Sequence, residues 1–236
     1  MKLLIIRHGD PDYKNDTLTA AGWNEAKRLA GRLDSITAVY TSPLGRARDT
    51  AAFTLEKLHM KAETLDWLQE FPVHMYDPEI DRIRVIWDWL PQVWTADPSY
   101  YDRYAWCHTP VMEEAGAPAA YEKVCTGLDL LLAKHGYVRD GEIYRAAHPN
   151  RDTIALFCHF GLECVLLSHL LGVSPMPLWH GTCAAPTSVT TVVTEERREG
   201  IASFRMTGFG DTSHLEEVSF SARFCETFDC EEERHD

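Results

Sequence analysis

The sequence is poor in positive charge, with 23 Lys and Arg against 36 Asp and Glu and a formal net charge of -13 at pH 7. It has no cluster of Lys and Arg of the kind that nucleic-acid-binding proteins carry, so nucleic acid is not an expected partner. It also lacks an apolar run as long as a membrane span, so we expect no membrane partner. Both absences favour a globular protein.

Paired cysteines are lacking as well. The seven cysteines are an odd number and none belongs to a Cys-x-x-Cys pair, which predicts scattered reduced thiols rather than a disulfide framework. The apolar run at residues 3–6 is too short for a signal peptide. We therefore expect a cytoplasmic protein.

The length and composition fit one α/β domain. The chain has 236 residues, of which 45% are hydrophobic and 25% are charged, and these are ordinary values for a globular protein. We expect a single domain over residues 1–236, with an acidic, frayed tail at residues 226–236.

The first apolar segment ends in polar side chains. Residues 3–6 predict a short strand that is buried on both faces, and Arg7, His8 and Gly9 follow it directly. The glycine allows the backbone to turn away from the strand. Ligands bind at the carboxyl edge of strands in open α/β sheets, so Arg7 and His8 are candidate binding residues.

Two later segments repeat this arrangement. Residues 36–40 predict a strand, and a helix is expected to follow with Ser42 as its N-cap and Arg46 in its first turn. Residues 153–158 predict a third strand, which ends at His159. One sheet edge would then hold two arginines and two histidines, namely Arg7, His8, Arg46 and His159. With a helix N-terminus beside them, they predict a phosphate pocket.

The chain contains, in this order, Arg7-His8-Gly9, Ser42-Pro43-Leu44 with Arg46 and Thr50, and His159. This pattern resembles the histidine phosphatase superfamily, in its phosphoglycerate mutase-like branch, over residues 1–70 and roughly 150–215. The resemblance implies a three-layer α/β/α fold with a mostly parallel central sheet. It also implies hydrolysis of a phosphate monoester through a phosphohistidine, without a metal or another cofactor.

The resemblance assigns His8 as the nucleophile. It implies that the phosphate is bound by Arg7, Arg46, His159 and Asn15. The first three of these residues would also act in catalysis. No cysteine has an arginine six positions later, so the phosphate loop of cysteine phosphatases is absent.

A general acid is needed because a departing alkoxide is strongly basic. The family carries this acid in a Leu-x-Glu segment, which Leu68-Gln69-Glu70 matches, so Glu70 is the candidate. Asp66, Asp77 and Glu79 are its rivals.

Three alternatives stay open. A phosphoglycerate mutase would share the catalytic residues, although the loop after Gly9 is short and lacks the Phe-Thr-Gly-Trp segment of the mutases. A metallophosphatase would use His8 and His159 with Asp10 and Asp12. A non-catalytic module would only bind a phosphorylated ligand.

Residues 71–118 do not resemble a strand-helix-strand unit. They hold four of the seven tryptophans and are expected to form an aromatic-rich insertion over the active site. Within it, the pattern predicts a helix over residues 77–90. The expected partner is a phosphorylated small molecule, and whether the protein forms a homodimer is left open. The role of His214 is also left open. This residue lies in a segment that resembles one seen near the end of many bacterial members of the superfamily.

Overall fold

The computed structural model describes residues 1–77 and 81–216 of the chain. Its strands are β1 (Lys2–Arg7), β2 (Pro11–Asp12), β3 (Thr17–Leu18), β4 (Ala38–Thr41), β5 (Ala62–Thr64), β6 (His74–Asp77), β7 (Arg82–Val85), β8 (Tyr137–Asp140), β9 (Ile143–Ala146), β10 (Thr153–Cys158), β11 (Val189–Arg198) and β12 (Ile201–Asp211). Its α-helices are α1 (Ala20–Arg32), α2 (Gly45–Leu58), α3 (Pro91–Trp94), α4 (Pro110–Glu114), α5 (Ala117–Lys134), α6 (Phe160–Leu171) and α7 (Pro175–Gly181). Short 3₁₀ helices cover Asp66–Leu68, Pro98–Tyr101 and Trp106–His108. Within the described ranges, no helix is long and apolar enough to cross a membrane.

Eight of the described strands form a central sheet in the order β5-β4-β10-β1-β11-β12-β9-β8. The first four strands in this order run parallel to one another. The remaining neighbours, from β1–β11 to β9–β8, pair antiparallel. The sheet is therefore mixed, and the expected parallel arrangement holds for the half that contains β4, β10 and β1.

The side chains of β1 alternate between two apolar cores. Leu3 and Ile5 pack in a core that includes buried residues of α5 and α6. Leu4 and Ile6 pack on the other face, with Leu29 of α1 and with α2. Since successive strand side chains point to opposite faces, a strand covered on both sides must be apolar throughout. The prediction of helices on both faces of a central sheet is confirmed.

Residues 71–118 begin with a hairpin. Strands β6 and β7 pair antiparallel, so the prediction of a helix over residues 77–90 is wrong at β7. Ile83, predicted on the inner face of that helix, is exposed, whereas the side chain of Arg84 beside it is buried. Residues 78–80 of that prediction, and the tail at 226–236, lie outside the described residues.

Most aromatic side chains of this segment serve the core. Five of them are buried, namely Phe71, Trp87, Trp89, Tyr100 and Trp106. Trp87 also reaches the start of α6, because a Cβ atom built on Gly161 would meet its ring at 2.7 Å. The described structure thus attaches the insertion to α6, and its expected role as a cover for the site stays a prediction.

Candidate active site

The strand register brings the predicted residues to one edge of the sheet. Arg7 at the end of β1 lies opposite Cys158 at the end of β10, and β4 runs parallel on the other side of β10. The next residues, His8 and His159, are therefore neighbours. Their ring centroids are 5.1 Å apart and the rings are tilted by 58°.

His8 is fixed as one tautomer by the backbone. Its Nδ1 lies 2.8 Å from the carbonyl oxygen of Gly9, which only accepts, so we assign the proton to Nδ1. The lone pair of the neutral ring is then on Nε2. Burial of the ring lowers the pKa of His8 well below its usual range, and the charges of Arg7 and Arg46 lower it further. Nε2 is therefore unprotonated at neutral pH and available as a nucleophile.

His159 is held through its other ring nitrogen. Its Nε2 lies 2.8 Å from the Ser42 hydroxyl, which also accepts from the N–H of Leu44 at 3.2 Å. We assign the ring proton to Nδ1, a buried atom with no hydrogen-bond partner among the described residues, with the Ser42 hydroxyl donating to Nε2. Burial lowers the pKa of His159 well below its usual range, with smaller effects from His8 and both arginines. A neutral N–H is thus available for a ligand oxygen.

Arg7 is a buried cation at the strand end. Its Nη1 donates to the carbonyl oxygen of Ala184 at 2.5 Å, and its guanidinium lies 6.0 Å from the ring centroid of Phe160. A buried guanidinium with fixed direction is suited to binding an anion with little reorganisation.

Arg46 is oriented by a carboxylate from another loop. Its Nη1 donates to Oδ1 of Asp16 at 2.8 Å, and its guanidinium lies 5.4 Å from the ring centroid of Tyr13. The second oxygen of Asp16 accepts the backbone N–H of Gly45 at 2.6 Å. Asp16 therefore both caps α2 and fixes Arg46.

The expected start of α2 is wrong by two residues. The helix begins at Gly45 with Leu44 as its N-cap, and no side chain of the cap residue bonds to it. Ser42, predicted as the cap, instead bonds to Leu44 and His159. The cap comes from Asp16 because the loop at residues 13–16 folds against the helix N-terminus, which also offsets the unfavourable charge of Arg46 there.

Glu70 lies at the N-terminus of α6. Its Oε1 accepts the backbone N–H of Phe71 at 2.8 Å and that of Leu162 at 3.0 Å. Burial raises the pKa of Glu70, and these two hydrogen bonds and the charges of Arg46 and Arg7 offset part of the rise. A carboxyl group whose pKa is raised by burial holds its proton more readily, as the role of a general acid requires.

Asp66 is placed less favourably than Glu70. Asp66 is exposed on the 3₁₀ helix before it. Asp77 is the last residue of β6, and Glu79 lies outside the described residues.

Asn15 and the two aspartates of its loop have local partners. The amide of Asn15 donates to Asp12 at 2.7 Å on the exposed surface, and Asp10 accepts from the hydroxyl of Thr19 at 2.6 Å. The phosphate contact of Asn15 therefore stays a prediction. Within residues 1–77 and 81–216, no three His, Cys, Asp or Glu side chains converge as a metal site requires.

Three further residues near the site escaped the sequence analysis: Asp16, Thr187 and Glu163. Glu163 is 1% exposed, and burial raises its pKa to about 7 while the hydroxyl of Thr190 and the charge of Arg7 lower it. An acidic residue within the apolar first two turns of α6 was a signal that could have identified it. Asp16 and Thr187 act through tertiary contacts that no local pattern shows.

Residues 3–119, about half of the chain, match the sequence profile of the histidine phosphatase superfamily (branch 1). The fold and the grouping of Arg7, His8, Arg46 and His159 agree with this match, and the chain belongs to this superfamily. No curated protein sequence matches the chain.

Solved structures share the fold. A phosphoserine phosphatase mutant from Entamoeba histolytica, in complex with phosphoserine, is 20% identical with a TM-score of 0.61, covering 91% of this chain and 98% of that one. A mycobacterial glucosyl-3-phosphoglycerate phosphatase in complex with VO3 is 20% identical with a TM-score of 0.56, covering 88% and 98%. YhfR of Bacillus stearothermophilus is 18% identical with a TM-score of 0.57, covering 90% and 98%.

Proposed function

We propose that this protein hydrolyses phosphate monoesters of small molecules through a phosphohistidine on His8. Its superfamily and its fold support a phosphoric monoester hydrolase. The observation that carries the mechanism is the hydrogen bond from Nδ1 of His8 to Gly9, which leaves the lone pair on Nε2.

In the first step, Nε2 of His8 attacks phosphorus and the bond to the ester oxygen breaks. Glu70 gives its proton to that departing oxygen, so an alcohol leaves and a phosphoryl group remains on His8. In the second step, the Glu70 carboxylate takes a proton from water as the water oxygen attacks phosphorus. The N–P bond breaks, inorganic phosphate leaves, and His8 and Glu70 return to their initial states.

The remaining groups stabilise charge on the phosphoryl oxygens. Arg7 and Arg46 supply two positive charges, and Nδ1 of His159 supplies a neutral donor. Because their partners fix them before substrate arrives, they need little reorganisation when charge spreads in the transition state. The arginines thus provide the electrostatic stabilisation of the reaction.

The central test is His8→Ala with an aryl phosphate as substrate. We expect turnover to fall by more than about 1000-fold, because no other nucleophile is placed at this strand end. Wild-type enzyme denatured in alkali, where the N–P bond of phosphohistidine is stable, should carry label from a ³²P-phosphate ester, and the variant should not. His108→Ala, at an exposed histidine, is the control, and circular dichroism checks that His8→Ala is folded. Variant activity within about tenfold of wild type contradicts the phosphohistidine route.

The same assay separates the alternatives. A metallophosphatase loses activity in excess chelator, whereas this mechanism predicts full activity in chelator and inhibition by vanadate. A mutase interconverts phosphoglycerates faster than it releases phosphate, and a binding module binds vanadate without turnover. A substrate panel should include phosphoserine and glucosyl-3-phosphoglycerate, which are named for the phosphatases that share this fold.

A further inference from the structure

A loop at residues 184–188, between α7 and β11, holds both residues at the end of β1. Its Ala184 carbonyl accepts from Nη1 of Arg7 at 2.5 Å, and its Ser188 carbonyl accepts from the backbone N–H of Arg7 at 3.2 Å. The backbone N–H of Thr187 donates to the carbonyl oxygen of His8 at 3.1 Å. The 184–188 loop therefore fixes Arg7 and His8 together.

Thr187 adopts a costly conformation to make this contact. Its φ is +59°, in the left-handed region, and its side chain is fully buried. A β-branched residue is an outlier there, whereas glycine adopts this conformation without strain. Such strain persists only where surrounding contacts hold it, and it is frequent next to reacting groups.

The hydroxyl of Thr187 explains why threonine is useful at this position. It donates to the carbonyl oxygen of Pro186 at 2.7 Å, so its oxygen is left to accept from Nε2 of His214 at 3.0 Å. Nδ1 of His214 then carries the lone pair and lies 3.5 Å from Nη1 of Arg32.

The C-terminal side of this arrangement is anchored as well. Arg32 also pairs with Asp211 at 2.6 Å, at the end of β12. Burial, with a smaller effect of Arg32, lowers the pKa of His214 to about 4, so the ring is neutral at pH 7 and keeps one donor and one acceptor. A chain of contacts thus runs from Arg32 through His214 and Thr187 to the backbone of His8.

We propose that His214 and Thr187 are positioning residues that set the orientation of His8 and Arg7 through the 184–188 loop. The proposal rests on the proposed function, in which His8 is the nucleophile and Arg7 binds the phosphoryl group. Glycine at position 187 would remove the strain but also the hydroxyl, so the strained threonine keeps the link between the loop and His214.

The experiment compares four variants: Thr187→Gly, Thr187→Val, His214→Ala and His214→Gln. Thr187→Gly relieves the backbone strain, and Thr187→Val keeps the side-chain shape without the hydroxyl. We expect both to lower kcat/KM for an aryl phosphate by about 10- to 100-fold, with the melting temperature of Thr187→Gly unchanged or raised. We expect the same loss in His214→Ala and recovery to within about threefold of wild type in His214→Gln, whose amide can donate to Thr187.

The ring ¹⁵N spectrum of His8 gives a readout that does not depend on turnover. The Nδ1-protonated pattern of wild type should shift in Thr187→Val and His214→Ala. The control is His135→Ala. His135 lies at the end of α5, and its Nε2 makes a comparable hydrogen bond of 2.8 Å with the hydroxyl of Tyr40. This variant should have a lower melting temperature and an unchanged kcat/KM.

Two results separate the proposals. If the ring spectrum of His8 and kcat/KM stay at wild-type values in Thr187→Val and His214→Ala, the positioning role is wrong. If the spectrum responds while wild-type protein neither turns over phosphate esters nor forms phosphoenzyme, the positioning role stands and the proposed hydrolysis fails.

Discussion

Two glutamates lie beside the arginines of the site, and their surroundings give them different properties. Glu70 accepts the backbone N–H of Phe71 and that of Leu162 in the first turn of α6, whereas Glu163 is a residue of α6 and lies in the core. Burial raises the pKa of both carboxyl groups. Glu70 is the proposed general acid, and for Glu163 we expect an effect chiefly on the stability of the fold.

Glu70→Gln tests the assignment of the general acid. An alkyl phosphate releases a strongly basic alkoxide, so the variant should lose about 100- to 10,000-fold in kcat/KM for it. An aryl phosphate releases a stable phenolate, and its kcat/KM should fall much less. Using kcat/KM makes the comparison independent of the later hydrolysis of phosphohistidine. Asp66→Asn is the matched control. If Glu70→Gln lowers kcat/KM equally for both substrates, Glu70 is not the general acid and Asp66 becomes the candidate.

Glu163→Gln tests the consequence of the raised pKa for stability. At low pH the carboxyl group is protonated in both the folded and the unfolded protein. Between pH 4.5 and about 7 it ionises only in the unfolded protein. The free energy of unfolding therefore falls as the pH rises through this range. The shift from 4.5 to about 7 corresponds to about 3 kcal/mol. Glutamine stays neutral, so the variant should unfold at a higher temperature than wild type at pH 8, with a smaller gap at about pH 5.

The control for this prediction is Glu122→Gln, at an exposed position of α5. It should leave the unfolding temperature unchanged at both pH values. The difference in unfolding temperature between Glu163→Gln and wild type should depend on pH. If it does not, Glu163 has the same pKa in the folded and unfolded states.

At the scale of elements, the sequence predicts strands better than it predicts where helices begin. The run at residues 3–6 could be identified because burial on both faces requires continuous apolar residues. The start of α2 could not, because its cap comes from Asp16, a residue 29 positions earlier. The helix predicted over residues 77–90 failed for a related reason: β6 and β7 pair with each other, and pairing overrides local propensity.

Substitutions of Asp16 separate its two contacts. Asp16→Asn keeps an oxygen for the N–H of Gly45 and tolerates the positive φ of 49° at this position, but it removes the charge that faces Arg46. We expect near-wild-type stability and a KM raised by about tenfold. Asp16→Ala loses both contacts and should also lower the free energy of unfolding by at least about 1 kcal/mol.

The control for both variants is Asp34→Ala, because the carboxylate of Asp34 is exposed and pairs with Lys57 on the surface. Denaturant melts and initial rates measure the two effects. An unchanged KM in Asp16→Asn would show that Arg46 is oriented without the help of this carboxylate.

At the scale of the whole molecule, the grouping of Arg7, His8, Arg46 and His159 could be predicted because parallel strands end at a common edge. The contributions of Thr187 and His214 could not. They come from the antiparallel half of the sheet and its connecting loop, where no regular strand-helix repeat indicates which residues meet. Sequence patterns thus located the residues proposed to touch the phosphate, and the structure was needed for those that hold them in place.

The place of β1 in the sheet has a consequence for how the chain folds. Leu3 is synthesised long before the residues that it lies beside, Ile154 of β10 and Val192 of β11. During synthesis, this apolar strand must wait with both edges open until residues far along the chain emerge. Closing such distant contacts is slow and leaves a strand exposed to aggregation. This protein is therefore expected to depend on chaperones while nascent, and to acquire its His8 site only late in folding.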